Sequence, residues 1–587
     1  MNPARQAGSG ASEASSMDTG EESMEMSCAD AVWAMLREAG VDRVFGVCGI
    51  TNVPLLHALR RVPDIEFIHA AHESAALGMA DGYARASGRL AVVVVHSTGG
   101  LSNTLGNLHN AFAAGSRILV LVGQTDASLD WGERYMDVDV RPMVSQVSKA
   151  RWRVSRAQDV AVAVNRAIKE ACTVPTGPVV LAIPHSVQGQ VVVHPHFPAQ
   201  GREVSTDIAL SAQSLERVAQ LLAGAKNPVI VAGHAVADTG AVAELVAFAE
   251  ALAAPVYTGN ETKLIFPSDH PLYRGLLFQQ SYVIRRVAAS ADVLLVLGSD
   301  VFKFDDPVDA PVIPAETQVV QIDLDPAALA RFGPTIAALL ANPRLALAQL
   351  KTAIEPLIST QQRALRLGRL NSEHEEHTVF VEGCLNAAPA AVPIHWGAAF
   401  RELGAALPQD AVVVDELASF YGQLPKVIGF RDPGSYFACV DSLGWGLPAS
   451  LGVALGSPGR PVIALLGDGG AMFCIQALWS AARYQIPIVI VILNNGGFGS
   501  MRGLFGYYGQ AVGVPMDGED CAAYDIGELS FARLAESFGV SARRVTEPAE
   551  IGRTLQEMIG LRKPALIELM VSPEGAGMQE MTARFFS

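Results

Sequence analysis

A strand-length apolar run at 461–466 (PVIALL) closes on Gly467-Asp468-Gly469-Gly470, and a second at 487–493 (PIVIVIL) closes on Asn494-Asn495-Gly496-Gly497. Unbroken apolar runs bounded by glycine, with no polar alternation, belong to parallel strands covered on both faces. The stretch between them, 471–484, reads as a helix, so both glycine-rich turns fall at the carboxyl edge of one sheet. That edge is where open α/β sheets bind ligands.

The same alternation of strand and helix recurs upstream. Runs at 90–95 (LAVVVV), 117–122 (RILVLV) and 179–183 (VVLAI), with a helix over 74–86, mark a unit spanning 28–190. Runs at 228–232 (PVIVA), 293–297 (VLLVL) and 319–322 (VVQI) mark a second unit, 212–356. A run at 411–414 (AVVV) joins the two strands above in a third unit, 393–575. A loop-like stretch from 188 to 207 and a polar, charged stretch at 359–378 separate the units. Residues 1–26, rich in Ser, Gly and Glu with no basic start or apolar centre, read as a disordered tail rather than a secretory signal. The expected fold class is α/β, with three doubly wound parallel-sheet domains. A chain of 587 residues is too long for one core and agrees with that division.

Composition narrows the partners. A formal charge of -16 and a pI near 5.3 argue against nucleic acid and against an anionic membrane surface. No run approaches the ~18 apolar residues of a membrane span. Seven scattered cysteines without a CxxC pair read as buried thiols in a reducing cytoplasm.

Three places carry chemistry. A hard cation such as Mg²⁺, with Mn²⁺ or Ca²⁺ as substitutes, takes oxygen ligands. Asp468, the Asn495 amide and the Gly497 carbonyl supply such a set. Gly469 and Gly470 let backbone N–H groups approach a phosphate, and the following helix adds its dipole. Glu73, in His69-Ala70-Ala71-His72-Glu73-Ser74, follows a short strand at 65–68 and opens an alanine-rich helix. It is either a charge at a helix start or a carboxylate for proton work. His96, at the end of the 90–95 strand, either caps a turn or serves as an acid–base. The Ala232-Gly233-His234 turn is an ordinary α/β turn or a nucleotide contact.

The GDG and NN pair, the Glu73 segment and Asp81-Gly82-Tyr83-Ala84 together resemble the thiamine-diphosphate-dependent decarboxylase and acetolactate synthase superfamily. The similarity runs from about 28 to 569, and within the superfamily the benzoylformate decarboxylases are most alike. This resemblance implies pyrimidine-binding, middle and diphosphate-binding domains. It also implies active sites between two chains of a homodimer or homotetramer. It assigns Glu73 to the cofactor's pyrimidine and Leu443, in residues 441–448, to the wedge that bends the cofactor. Contacts to the cofactor follow from Glu416, Asp468, Gly469, Gly470, Asn495, Gly497 and Phe498, and proton transfer from His96.

Two departures concern the substrate. Ile50 stands where those decarboxylases have a serine that contacts the substrate carboxylate, and Asp305 where they have a second histidine. Thr51 offers a neighbouring hydroxyl, and Ser97 flanks His96. The expected reaction is non-oxidative decarboxylation of a small-molecule 2-oxo acid to an aldehyde. Alternatives are an acetolactate synthase-like carboligase, a 2-hydroxyacyl lyase, or a non-catalytic homologue that only binds cofactor. A synthase would carry FAD in the middle domain; residues 302–306 (FKFDD) match the flavin-region pattern too slightly to expect it.

Overall fold

The computed structural model describes residues 25–132, 134–193, 204–259, 262–304, 306–308, 310–439, 441–501 and 525–573. The first part holds β1 (Glu25–Ser27), β2 (Arg43–Gly46), β3 (Glu66–His69), β4 (Ala91–His96), β5 (Ile118–Gln124), β6 (Ala150–Arg153), β7 (Val179–Pro184) and β8 (Val191–Val193). Six of them form a parallel sheet in the order β3-β2-β4-β5-β7-β6. The central part adds β9 (Pro228–Ala232), β10 (Val256–Gly259), β11 (Tyr273–Leu277), β12 (Val293–Leu297), β13 (Gln318–Asp323) and β14 (Ala337–Leu340), in the parallel order β11-β10-β9-β12-β13-β14. The last part adds β15 (Val412–Glu416), β16 (Tyr436–Ala438), β17 (Val462–Gly467), β18 (Ile488–Asn494), β19 (Ser541–Val545) and β20 (Ala565–Met570), in the parallel order β16-β15-β17-β18-β20-β19. Three parallel sheets with flanking helices are the α/β fold class the apolar runs call for.

Alternate side chains of each strand enter different cores, as the two-residue repeat requires. Val93 and Val95 of β4 face one core, Val92 and Val94 another. The first of these cores also takes Val462, Ala464 and Leu466 of β17 and Ile488, Ile490 and Ile492 of β18. The first and last sheets therefore share one apolar interior. The central sheet has its own, on either side of β12. Burying one such aliphatic side chain is worth about 1.5–3 kcal/mol.

Two helices make the shared interior close-packed: Glu73–Ser87 of the first domain and Gly446–Gly456 of the last. A methyl group on Gly82 would strike the Ala449 carbonyl, and one on Gly452 the Met79 carbonyl. Asp81 on the first helix is fully buried and accepts from Arg85 at 2.6 Å and from Trp445 Nε1 at 2.6 Å. Arg85 Nη1 donates onward to the Ala438 carbonyl at 2.9 Å.

Four local expectations change. Residues 1–24 lie outside the described residues, but Glu25 and Met26, assigned to the tail, are in β1, paired antiparallel with β8. The pairing satisfies backbone groups that a three-residue polar segment gives no sequence sign of. The stretch from 188 to 207 contains β8, while 194–203 lies outside the described residues. The polar stretch at 359–378 belongs to a helix, Thr360–Leu385, capped by Ser359 Oγ accepting from Gln362 N at 3.1 Å. Its buried Arg366 donates to the Leu252 carbonyl at 2.7 Å, which straps this polar helix to the central domain. The helix expected over 471–484 is two, Asp468–Met472 and Ala477–Tyr484. Between them Phe473, Cys474 and Ala477 donate to carbonyls three residues back, the tighter turn that interrupts an α-helix.

Candidate active site

The two glycine-rich turns sit at the ends of neighbouring strands, since Gly467 of β17 pairs with Leu493 of β18. One carboxylate joins them. Asp468 is 3% exposed; its Oδ1 accepts from Gly469 N at 2.7 Å, and its Oδ2 from Asn495 N at 2.9 Å and Gly497 N at 3.0 Å. Burial pushes this carboxyl above its ordinary value, opposed by the amides of Gly469, Gly497 and Asn495. Gly497 N also reaches Asn495 Oδ1 at 3.3 Å. The carboxylate and the amide oxygen, far apart in the chain, thus both meet the Gly497 amide, whose residue carries the carbonyl of the expected set. A Cβ on Gly467 or Gly496 would meet nothing within 4 Å, so open space borders both turns. Gly469 differs: the room its missing side chain leaves is taken by the Phe498 ring rather than left for a phosphate.

Leu443 reaches the same place by a separate route. A Cβ on Gly470 would lie 3.7 Å from Leu443 Cδ2 and 3.1 Å from Glu416 Oε1. Glu416, expected to contact the cofactor, accepts from Gly444 N at 2.5 Å and from Gly446 N. Both carboxylate oxygens grip the turn that carries Leu443. Burial pushes Glu416 up to about 7 against those amides, and burial likewise pushes neighbouring Asp415 up to about 7. The first domain holds the same turn from outside. Asn110 Oδ1 accepts from Asp441 N at 3.1 Å and Ser442 N at 3.0 Å, and its Nδ2 donates to the Ser442 carbonyl at 2.8 Å. Asn107 adds a bond to the Gly444 carbonyl at 3.4 Å.

Glu73 opens its helix behind His72, whose ring accepts from Ser74 N at 3.2 Å. The Glu73 side chain is half-buried, and its Oε2 accepts from Asn103 Nδ2 at 3.0 Å. One chain alone therefore leaves Glu73 partly open to water.

His96 ends β4 at a sharp strand-to-helix turn, and Ser97 begins the helix Ser97–Ser102 with φ 51. A left-handed non-glycine residue costs about 1–3 kcal/mol unless its surroundings hold it. Here Ser97 Oγ donates to the Met136 carbonyl at 2.6 Å and lies 3.2 Å from Asp137 Oδ1. Asp137 also accepts from Thr125 N at 3.0 Å and Gln124 Nε2 at 3.2 Å. Thr51 Oγ1 lies 2.7 Å from His96 Nδ1 and donates to the Gly123 carbonyl at 2.8 Å. The hydroxyls of Thr51 and Ser97, offered to substrate by the sequence reading, are both engaged within the protein. Ile50 is 73% exposed, and Asp305 lies outside the described residues.

The bonds from Asn103, Asn107, Asn110, Asp137 and Glu416 were not foreseen. On the helix Glu73–Ser87, which packs against the last domain, the sequence had marked Glu73 and the Asp81-Gly82-Tyr83-Ala84 motif. At the Ala232-Gly233-His234 turn, the space beside Gly233 is filled by Gly298 and Ser299. Among the described residues no group of three or more His, Cys, Asp or Glu side chains is placed to hold a metal.

Residues 26–139 match the N-terminal TPP binding domain of thiamine pyrophosphate enzymes, 215–350 the central domain and 420–569 the C-terminal TPP binding domain. The chain belongs to the thiamine pyrophosphate enzymes. Benzoylformate decarboxylase of Pseudomonas aeruginosa is 32% identical over 542 residues, covering 92% of this chain and 98% of that protein. A probable acetolactate synthase large subunit of Methanocaldococcus jannaschii is 27% identical, covering 94% of this chain and 93% of that one. The thiamine diphosphate-dependent 4-hydroxybenzoylformate decarboxylase of Rhodococcus jostii RHA1 superposes with a TM-score of 0.79 at 27% identity, covering 93% of this chain and 99% of that one. As a thiamine pyrophosphate enzyme of the decarboxylase and carboligase type, this chain has thiamine diphosphate as its cofactor. None of its described helices is long and apolar enough to cross a membrane.

Proposed function

We propose that the chain is a thiamine-diphosphate- and Mg²⁺-dependent decarboxylase that converts a 2-oxo acid to an aldehyde. The carrying observation is the convergence on the turn 467–470: Asp468 binds the amides of the Asn495 turn, and the clamped Leu443 comes to Gly470. That arrangement fits the cofactor. Asp468, Asn495 and the Gly497 carbonyl would hold the cation and, through it, the diphosphate, with phosphate oxygens and water completing a hard-ion shell. Leu443, beside Gly470, would pack against the cofactor.

When bound, thiamine diphosphate supplies the electron sink for the pair left by departing CO₂. The remaining work falls to this chain's own groups. Glu73 holds a proton at its carboxyl against the cofactor's pyrimidine, with Asn103 fixing the orientation. His96 Nε2 delivers a proton to the carbon that has lost CO₂. Asn107, Asn110 and Glu416 keep Leu443 in register with the Asp468 turn.

The site is completed between two chains of a homodimer or homotetramer. Half-buried Glu73 and two large exposed side chains in the segment before the Met136 carbonyl that Ser97 binds, Trp131 at 89% exposure and Tyr135 at 81%, support this reading, because large apolar surface is costly to leave in water. Concentration-dependent activity in sedimentation-matched assays tests it. An active monomer would defeat it.

The decisive assay measures CO₂ release with thiamine diphosphate and Mg²⁺ across aliphatic, aromatic and acidic 2-oxo acids, each with and without an aldehyde acceptor. Release with free aldehyde is expected. Release only with acceptor would make the enzyme a carboligase, the reading favoured by its likeness to the acetolactate synthase. Glu73→Gln should keep cofactor binding and lose turnover by about 10²- to 10⁴-fold. An unaltered rate would refute the role given to Glu73.

A further inference from the structure

Among the described residues the ring of His96 has one hydrogen-bond partner, Thr51, and that partner is constrained. A carbonyl oxygen only accepts, so the single hydroxyl proton of Thr51 goes to Gly123 O, 2.8 Å away. What Thr51 Oγ1 then turns toward His96 Nδ1, at 2.7 Å, is a lone pair. Nδ1 must therefore carry hydrogen. In the neutral ring this leaves Nε2 bare, and in the charged ring it leaves the transferable proton on Nε2. An imidazole free in water favours the opposite neutral form, with hydrogen on Nε2.

The surroundings hold Thr51 to this task. It is 2% exposed, and its carbonyl accepts from Gln188 Nε2 at 2.9 Å. A Cβ on Gly123 would collide with the Thr51 backbone, and one on Gly49 with the His96 ring. Two glycines thus let the turn Ile50–Asn52 settle onto the ends of β4 and β5. Among the described residues, His96 Nε2 has no hydrogen-bond partner, so it is the nitrogen open to chemistry.

We propose that Thr51 is a positioning residue that sets the tautomer of His96 and does not touch substrate. The proposal deepens the decarboxylase reading and rests on the role given there to His96. In the proton-transfer step the Nε2–H bond breaks and its pair stays on the ring. The proton joins the carbon that lost CO₂, and the neutral ring that remains keeps its hydrogen on Nδ1, toward Thr51. Which nitrogen works in a histidine is set by the bond the other one makes.

The test is ring-¹⁵N histidine NMR by magic-angle spinning on the full chain sedimented with thiamine diphosphate and Mg²⁺. His96→Gln identifies the His96 signals. At a pH where the ring is neutral, the native protein should show a protonated Nδ1 and a bare Nε2. Thr51→Val should move the hydrogen to Nε2 and lower kcat about 10- to 100-fold with little change in KM. Thr51→Ser should restore both the native signature and most of the rate. A bare Nδ1 in the native protein overturns the proposal, and so does an unchanged signature in Thr51→Val. A raised KM at constant kcat would make Thr51 a substrate contact and overturn it too. The native spectrum decides the matter even where Thr51→Val fails to fold. Native tautomer signals in a protein silent toward every 2-oxo acid would uphold Thr51's action on the ring and defeat the decarboxylase reading instead.

Discussion

Two strand-to-helix turns occupy equivalent places in the first and last domains, and they are built by opposite means. At the end of β4, side chains do the holding: Thr51 fixes the His96 ring, and the strained Ser97 anchors itself by its own hydroxyl on the Met136 carbonyl. At the end of β17 the backbone does it: three amides, from Gly469, Asn495 and Gly497, converge on one buried carboxylate. The first turn ends with a ring nitrogen left open, which suits proton transfer. The second ends with a charge bedded in oriented dipoles, which suits holding ions. The same position in a parallel sheet yields either chemistry, according to whether side chains or amides satisfy the turn.

That contrast is most exposed to Asp468→Ala. Removing the carboxylate strands three amides and deletes the one charged oxygen donor, so cofactor binding should be lost and stability should fall by about 2–4 kcal/mol. Calorimetric titration of thiamine diphosphate with Mg²⁺ checks this, and retained affinity would break the comparison. His96→Gln should do the reverse, lowering kcat about 10²- to 10⁴-fold while leaving cofactor affinity unchanged. A loss of affinity there would mean that both turns hold the cofactor.

A smaller effect is expected at Glu416. Its carboxyl and that of Asp415 ionise at ordinary values when unfolded and near 7 when folded, so the unfolded chain gives up its protons first. Stability from this pair is therefore full below pH 4 and declines as pH rises through 7. Glu416→Gln should flatten the decline and, by turning an N–H donor on the amides of the Leu443 turn, cost about 1–3 kcal/mol. Melting temperatures of the cofactor-free protein between pH 4 and 8 read both effects. The smallest change is expected from Ile50→Ser, which returns a hydroxyl beside the His96 turn. One added hydrogen bond should lower KM for the preferred 2-oxo acid about 2- to 10-fold, and an unchanged KM would place Ile50 away from substrate.

Strands with apolar side chains on both faces were plain in the sequence; the run at 228–232 is β9, residue for residue. The Asp468 and Asn495 turns were legible for the same reason, since glycine-rich ends of buried strands leave a local mark. Contacts between domains leave none. Asn110 looks like any helical asparagine, yet it binds a turn 331 residues away. Thr51 and Ser97 were read as hydroxyls offered outward, because a sequence shows that a hydroxyl exists and not where its proton goes. The helix Thr360–Leu385 was missed because its buried side are few residues, among them Arg366 and Leu370, and its polar length carries no clear stripe.

The Leu443 turn belongs to the last domain but is gripped by asparagines of the first. A chimaera whose first domain carried other side chains at 107 and 110 would leave the leucine's turn without these bonds. The two ends of the chain thus work as a matched pair, while the central domain rests on cores of its own.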